Sequence, residues 1–166
     1  MTTLFQDIYD IFFDKITDDM YVELTEYDTK KDCQSILINA IPLFEFPKKS
    51  LTYVKYEIDD ASFQDNSYFT SELDVEEKNI LATLMMQGWL QRQITSIENT
   101  RLKYYGNTFK LTSQANHLQK LITLKDDVRR DALHLQRLYK RRKVDSNGNV
   151  KSAWSIFNTY GSNNEI

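Results

Sequence analysis

Apolar residues recur at three- and four-residue steps through most of the chain, the period of an amphipathic helix. Leu4, Ile8, Ile11, Phe12 and Ile16, interleaved with Asp7, Asp10, Asp14 and Lys15, predict a first helix over residues 3–16. Residues 17–19 end it, and a short helical turn can follow through Leu24. Asp28 is then placed to cap a second helix whose apolar face is Cys33, Ile36, Leu37, Ala40, Ile41 and Phe44. Pro42 lacks an amide hydrogen and disfavours helix at Ile41, so this helix kinks or stops there, and Pro47 keeps Phe46 out of helix.

Over residues 51–58 the period falls to two, with Thr52, Val54, Tyr56 and Ile58 alternating against Leu51, Tyr53, Lys55 and Glu57. This predicts a strand, and residues 63–70 can return to close a hairpin. Two strands alone are marginal, so the hairpin must pack on helices or on a neighbouring subunit. Asp74 followed by Glu77 makes a capping box, from which a third helix runs through Leu81, Leu84, Met85, Gly88, Trp89, Ile94 and Ile97 to about Lys103. Tyr105-Gly106-Asn107 breaks it. Thr112 or Ser113 caps a fourth helix, in which Leu118, Lys125, Ala132 and Tyr139 repeat every seven residues beside Leu121, Val128 and Leu135. So narrow a stripe fits packing along one antiparallel partner, and the third helix is the obvious one. Residues 145–149 read as a turn, and residues 150–157 as a short strand or extended arm carrying Trp154, Ile156 and Phe157. Those three aromatic and aliphatic side chains either fold back over the bundle or anchor in a neighbouring subunit. The predicted architecture is therefore mainly α: a helical bundle over residues 1–143 with two long antiparallel C-terminal helices and a β-hairpin inserted near 51–70, then a C-terminal extension over 144–166.

Composition changes this picture little. A chain of 166 residues can bury a sizeable core without staples, and 10 Tyr against 4 Gly and 2 Pro favour long regular elements over loops. The single cysteine, Cys33, cannot form an internal disulfide, which points to a reducing compartment. No basic leader precedes the first helix and no apolar run reaches the roughly 18 residues that span a bilayer, so neither export nor a membrane partner is expected.

Charge changes it more. Residues 1–77 hold 18 acids against 6 Lys, about −12, while residues 78–166 hold 15 cations against 6 acids, about +9; together they give the overall −3. Such polarity points to a polyanion, or to another copy docked acidic end to basic end. The densest basic cluster is Arg137, Lys140, Arg141, Arg142 and Lys143, with Tyr139 between them. Three roles fit it: phosphate neutralisation with Tyr139 stacking or packing, cations stabilising a helix C-terminus, or pairing with the acidic half of a neighbour.

Signatures of catalysis are missing. Asp145, Asn147 and Asn149 alternate as in a calcium loop, but Val150 and Ile156 stand where that loop needs Gly and a bidentate Glu. His117, expected in the first turn of the fourth helix, and His134, expected beside its seam, lie 17 residues apart with no metal-site spacing. The sequence shows no glycine-rich phosphate loop or nucleophile elbow. A protein that is not an enzyme and uses no metal or other cofactor is expected.

Five stretches together carry a resemblance: Ile16-Thr17-Asp18-Asp19-Met20-Tyr21 with Glu23-Leu24-Thr25; Ile38-Asn39-Ala40-Ile41-Pro42 with Phe44-Glu45-Phe46-Pro47; Trp89-Leu90-Gln91-Arg92-Gln93-Ile94; Leu111-Thr112-Ser113-Gln114-Ala115-Asn116-His117-Leu118; and Leu135-Gln136-Arg137-Leu138-Tyr139-Lys140-Arg141-Arg142. Over residues 16–143 the chain resembles small virion structural proteins of tailed bacteriophages, among which helical head-to-tail connector (neck or adaptor) proteins occur. The resemblance implies a helical bundle that assembles into a homo-oligomeric ring, commonly a dodecamer, below the portal. Its partners would be further copies of itself, the portal protein, other neck or tail proteins, and DNA passing through the channel without sequence recognition. It implies location in the virion neck after assembly in the host cytoplasm. A DNA-binding packaging or regulatory protein using the basic fourth helix, and a tail or baseplate component, are the alternative readings.

Overall fold

The computed structural model describes residues 2–16, 21, 24–59, 62–103, 108–144 and 150–151, side chains at 100–103, 108–114, 143–144 and 150–151 excepted. Among these the chain is mainly helical, with four α-helices and short strands. In order they are β1 (Thr3–Leu4), α1 (Gln6–Lys15), α2 (Glu26–Ala40), a 3-10 turn (Ile41–Leu43), β2 (Tyr53–Val54), β3 (Tyr68–Phe69), α3 (Val75–Lys103), α4 (Thr108–Arg141), β4 (Lys143–Val144) and β5 (Val150–Lys151).

α3 is the axis of the fold. Six consecutive residues, Ile80, Leu81, Ala82, Thr83, Leu84 and Met85, are all buried. A helix that buries every direction of its surface must be covered on several sides. Here α1, α2 and α4 each pack on it. Lys78 reaches Asp7 of α1 at 2.8 Å, Arg92 pairs with Asp32 of α2, and Glu77 meets Tyr139 of α4. Gly88 faces α2, where a β-carbon would stand at ordinary contact distance, 3.6 Å, from the Ile36 side chain. α4 runs antiparallel to α3, since contacts move from Glu77 to Gln91 on one helix as they move from Tyr139 back to Lys125 on the other. Its buried residues Leu118, Val128, Ala132, Gln136 and Tyr139 form one narrow stripe, as the heptad spacing predicts.

The hairpin exists but its strands are short, and it gains a third strand from the start of the chain. The sheet order is β1-β3-β2, all antiparallel, with Tyr53 and Thr3 both opposite Phe69. The predicted first helix therefore begins late: Leu4, counted in its apolar stripe by spacing, lies in β1 and is 47% exposed. The fully buried Phe5 turns the chain into α1, stacking its ring 4.9 Å from that of Phe69.

The ladder stops after Val54 because side chains take over the backbone groups that would extend it. Ser67 Oγ accepts from the Tyr56 amide at 2.9 Å, and Gln34 Nε2 donates to the Tyr56 carbonyl at 2.9 Å. Buried Asp65 organises this corner, accepting from the Tyr9 hydroxyl at 2.6 Å, the Ser67 amide at 2.9 Å and Gln34 Nε2 at 3.1 Å. In the loop between the strands Phe63 sits at φ 52°, with its amide donating to the Asp59 carbonyl at 2.8 Å.

Two predicted caps shift. Thr25, not Asp28, caps α2: its Oγ1 accepts from the Asp28 amide at 3.1 Å, which makes Asp28 the third residue of the helix. α4 starts at Thr108, so Thr112 and Ser113 lie inside it rather than at its cap. The capping box at α3 forms as expected, with Glu77 Oε2 accepting from the Asp74 amide at 3.0 Å. Among the described residues no helix is long and apolar enough to cross a membrane.

Candidate assembly surface

The C-terminal end of α4 is strapped to the first half of the chain. After the 3-10 turn, residues 44–49 pass across it: Gln136 Oε1 accepts from the Glu45 amide at 2.7 Å, Phe44 packs edge-on against Tyr139 at 5.9 Å, and Lys140 places its ammonium 3.8 Å over the Phe46 ring. Lys48 puts its ammonium 4.3 Å over the Tyr139 ring and donates at 2.7 Å to the carbonyl of Arg142. The negative end of the α4 dipole thus receives a cation from the acidic half of the chain as well as its own.

Beneath this strap lies Glu77, fully buried. It accepts from the Asp74 amide, from the Lys49 amide at 3.2 Å and from the Tyr139 hydroxyl. Burial, then the hydrogen bond to Glu77, raise the Tyr139 hydroxyl well above the ordinary tyrosine range. Glu77 therefore ties α3, the strap and α4 together at one carboxylate.

This geometry sorts the predicted cluster. Tyr139 is a core residue, 3% exposed, with Lys48 across its ring, so of the two expectations, stacking or packing, it packs. Its place in the heptad had already put it on the seam, and the seam wins. Lys140 and Arg142 are exposed but engaged, Lys140 with Phe46 and Arg142 in an ion pair with Glu76. Lys143 belongs to β4, which pairs with β5 through Lys151. Arg137 and Arg141 are exposed, one helical turn apart. The predicted strand over 150–157 starts as expected at Val150, while Trp154, Ile156 and Phe157 of the arm, and the turn at Asp145, Asn147 and Asn149, lie outside the described residues.

The other candidates are placed as follows. His134 is exposed on the outer side of α4 rather than beside the seam, and His117, also exposed, falls in the third turn because the helix starts earlier than expected. Cys33 is fully buried, and desolvation, with the neighbouring Asp32 carboxylate, pushes its thiol up to about 12. So high a value holds it as an unreactive thiol at neutral pH. Among the described residues no group of His, Cys, Asp and Glu is arranged to hold a metal ion. A cleft of about 340 Å³ opens between α2 and the chain after β2, lined by Tyr27, Lys31, Ser35, Lys55 and Glu57 among others.

Sequence reasoning missed the strap. Phe46 and Gln136 stand in two of the quoted stretches and Lys48 directly follows one of them, but nothing local pairs the two stretches; the nearest signal is Pro42 and Pro47, which keep the segment out of α-helix beside the capping box. No protein-family model, curated protein or solved structure matches the chain.

Proposed function

We propose that this chain is a non-enzymatic structural protein of a tailed-phage virion, a neck component that self-associates into a ring continuing the DNA channel between portal and tail. The observation that carries the reading is the form of α4. This helix of 34 residues, about 50 Å long at 1.5 Å per residue, is seated on α3 through one stripe and leaves its opposite face to solvent. A ring needs subunits that present two different faces to two neighbours. A rigid helical wall with a free outer face, on a chain whose halves differ in charge, meets that need.

Two of the stretches that carry the phage resemblance also meet in space. The Phe44–Pro47 stretch lies across the Leu135–Arg142 stretch through Glu45 to Gln136, Phe44 to Tyr139 and Phe46 to Lys140. They form a structural joint, which suits a resemblance based on architecture rather than on catalytic chemistry.

Cross-linking mass spectrometry on intact particles tests the proposal, with links from this chain to itself and to the portal expected. Links confined to tail or baseplate proteins would move the chain to that part of the particle. Absence of the chain from purified particles, together with steeply salt-dependent binding to duplex DNA, would replace the proposal with a packaging or regulatory role.

A further inference from the structure

We infer that the outer face of α4 near its C-terminus, centred on Arg137 and Arg141, docks on the outer face of α1 of a second copy, centred on Asp10 and Asp14. This deepens the ring reading above by naming the two surfaces that would meet. Arg137 and Arg141 are exposed, four residues apart, and neither has an ion-pair partner among the described residues. They share their face with Arg130, His134 and the 40%-exposed Leu138. Asp10 and Asp14 are likewise exposed, four residues apart and without an ion-pair partner among the described residues, Asp10 accepting only from the neutral Gln6 amide at 2.7 Å. They share their face with Asp7, opposite the buried Ile8, Tyr9 and Phe12.

The two pairs match. Residues four apart on a helix rise about 6 Å along its axis, so two carboxylates can meet two guanidiniums in one register. Two neighbouring charges are already compensated within the molecule: Arg130 pairs with Asp127, and Asp7 pairs with Lys78. The arginine pair and the aspartate pair, without ion-pair partners among the described residues, are of opposite sign and equal spacing.

α1 and α4 pack on different sides of α3, so one copy cannot bring its own pairs together. Two copies can exchange the contact reciprocally as a two-fold dimer or pass it head to tail, and the head-to-tail arrangement is the kind that closes into rings or runs on into filaments.

Charge reversal of the full-length chain tests this, read by sedimentation velocity at low and high salt with circular dichroism confirming the fold. Each double variant replaces two attractions by two like-charge repulsions, so R137E/R141E and D10K/D14K should each weaken self-association by at least about 10-fold. Mixing them should restore association to near the wild-type level, because the reversed faces complement each other. The inference is overturned if the wild type stays monomeric at about 1 mM chain in low salt, where even a weak contact of that Kd would be half-formed. It is also overturned if either folded variant associates like wild type, or if the mixture of folded variants fails to recover. Loss of duplex binding by R137E/R141E with self-association intact would assign the face to nucleic acid instead. Self-association that follows these rules, in a chain absent from the portal junction, would leave the interface standing and refute only the neck assignment.

Discussion

Tyr139→Phe isolates the contribution of the buried carboxylate joint. The substitution removes one hydroxyl and leaves the ring packed 5.9 Å from Phe44, so no cavity of consequence opens. What is lost is a hydrogen bond to the carboxylate of the fully buried Glu77, which keeps the Asp74 and Lys49 amides as donors. Hydrogen bonds to charged groups contribute about 1.5–3 kcal/mol, so a loss of about 2 kcal/mol is expected. For a chain of this length that lowers Tm by about 4–8 °C. Urea unfolding followed by circular dichroism at 222 nm measures it. Glu77→Ala is a harsher test, since it orphans two amides and a hydroxyl at once; at about 1–3 kcal/mol each the cost is at least about 3 kcal/mol, a large part of an ordinary domain's stability. A cycle of Tyr139→Phe with Glu77→Gln should give a coupling of at least about 1 kcal/mol. A Tyr139→Phe change within about 0.5 kcal/mol of wild type would refute the joint.

Asp65→Ala strands the Tyr9 hydroxyl, the Ser67 amide and one Gln34 bond, and should destabilise by about 3 kcal/mol in the same urea assay, with Asp65→Asn costing less. Gly88→Ala should stabilise by about 0.5–1 kcal/mol, because the helix interior favours alanine and the new β-carbon would meet Ile36 at an ordinary 3.6 Å. Stability should fall at alkaline pH. The hydroxyls of Tyr9 and Tyr139 are held well above their ordinary 10.0, chiefly by burial, and Cys33 is pushed up to about 12 from 9.0, so the unfolded chain releases these protons first and stability declines as pH rises through about 9 to 12. Urea titrations at pH 8, 9, 10 and 11 check this, and Tyr139→Phe should flatten the decline.

The helices were legible because their period is long and their stripes are clean. Of the α4 heptad positions, Leu118, Val128, Ala132 and Tyr139 are buried and Leu121, Lys125 and Leu135 half-buried. The capping box marked the start of α3 because its chemistry is local. What was not legible depended on distant partners. Residues 3–4 join a sheet only because Tyr68 and Phe69 offer an edge, and no local pattern could separate Leu4 from the helical stripe that follows. The strap is held by bonds that cross more than half of the chain, and the basic cluster resolves into a buried tyrosine, two engaged cations, a strand lysine and two arginines without an ion-pair partner among the described residues only once Phe46, Lys48 and Glu76 are placed. Thr25 displaced Asp28 as the α2 cap because both residue types cap well and only the backbone turn decides between them.

The strap across the end of α4 also constrains the order in which the protein can be made. Its bonds join residues 91 and 94 positions apart, so a ribosome delivering the chain from its N-terminus exposes the 44–49 segment long before its counterpart emerges. Until α4 arrives, one side of the central helix is bare and Glu77 lacks its third donor. Completion of the native state is therefore a late event of synthesis, and polypeptides terminated before residue 136 should be recognised by proteases and chaperones as unfinished.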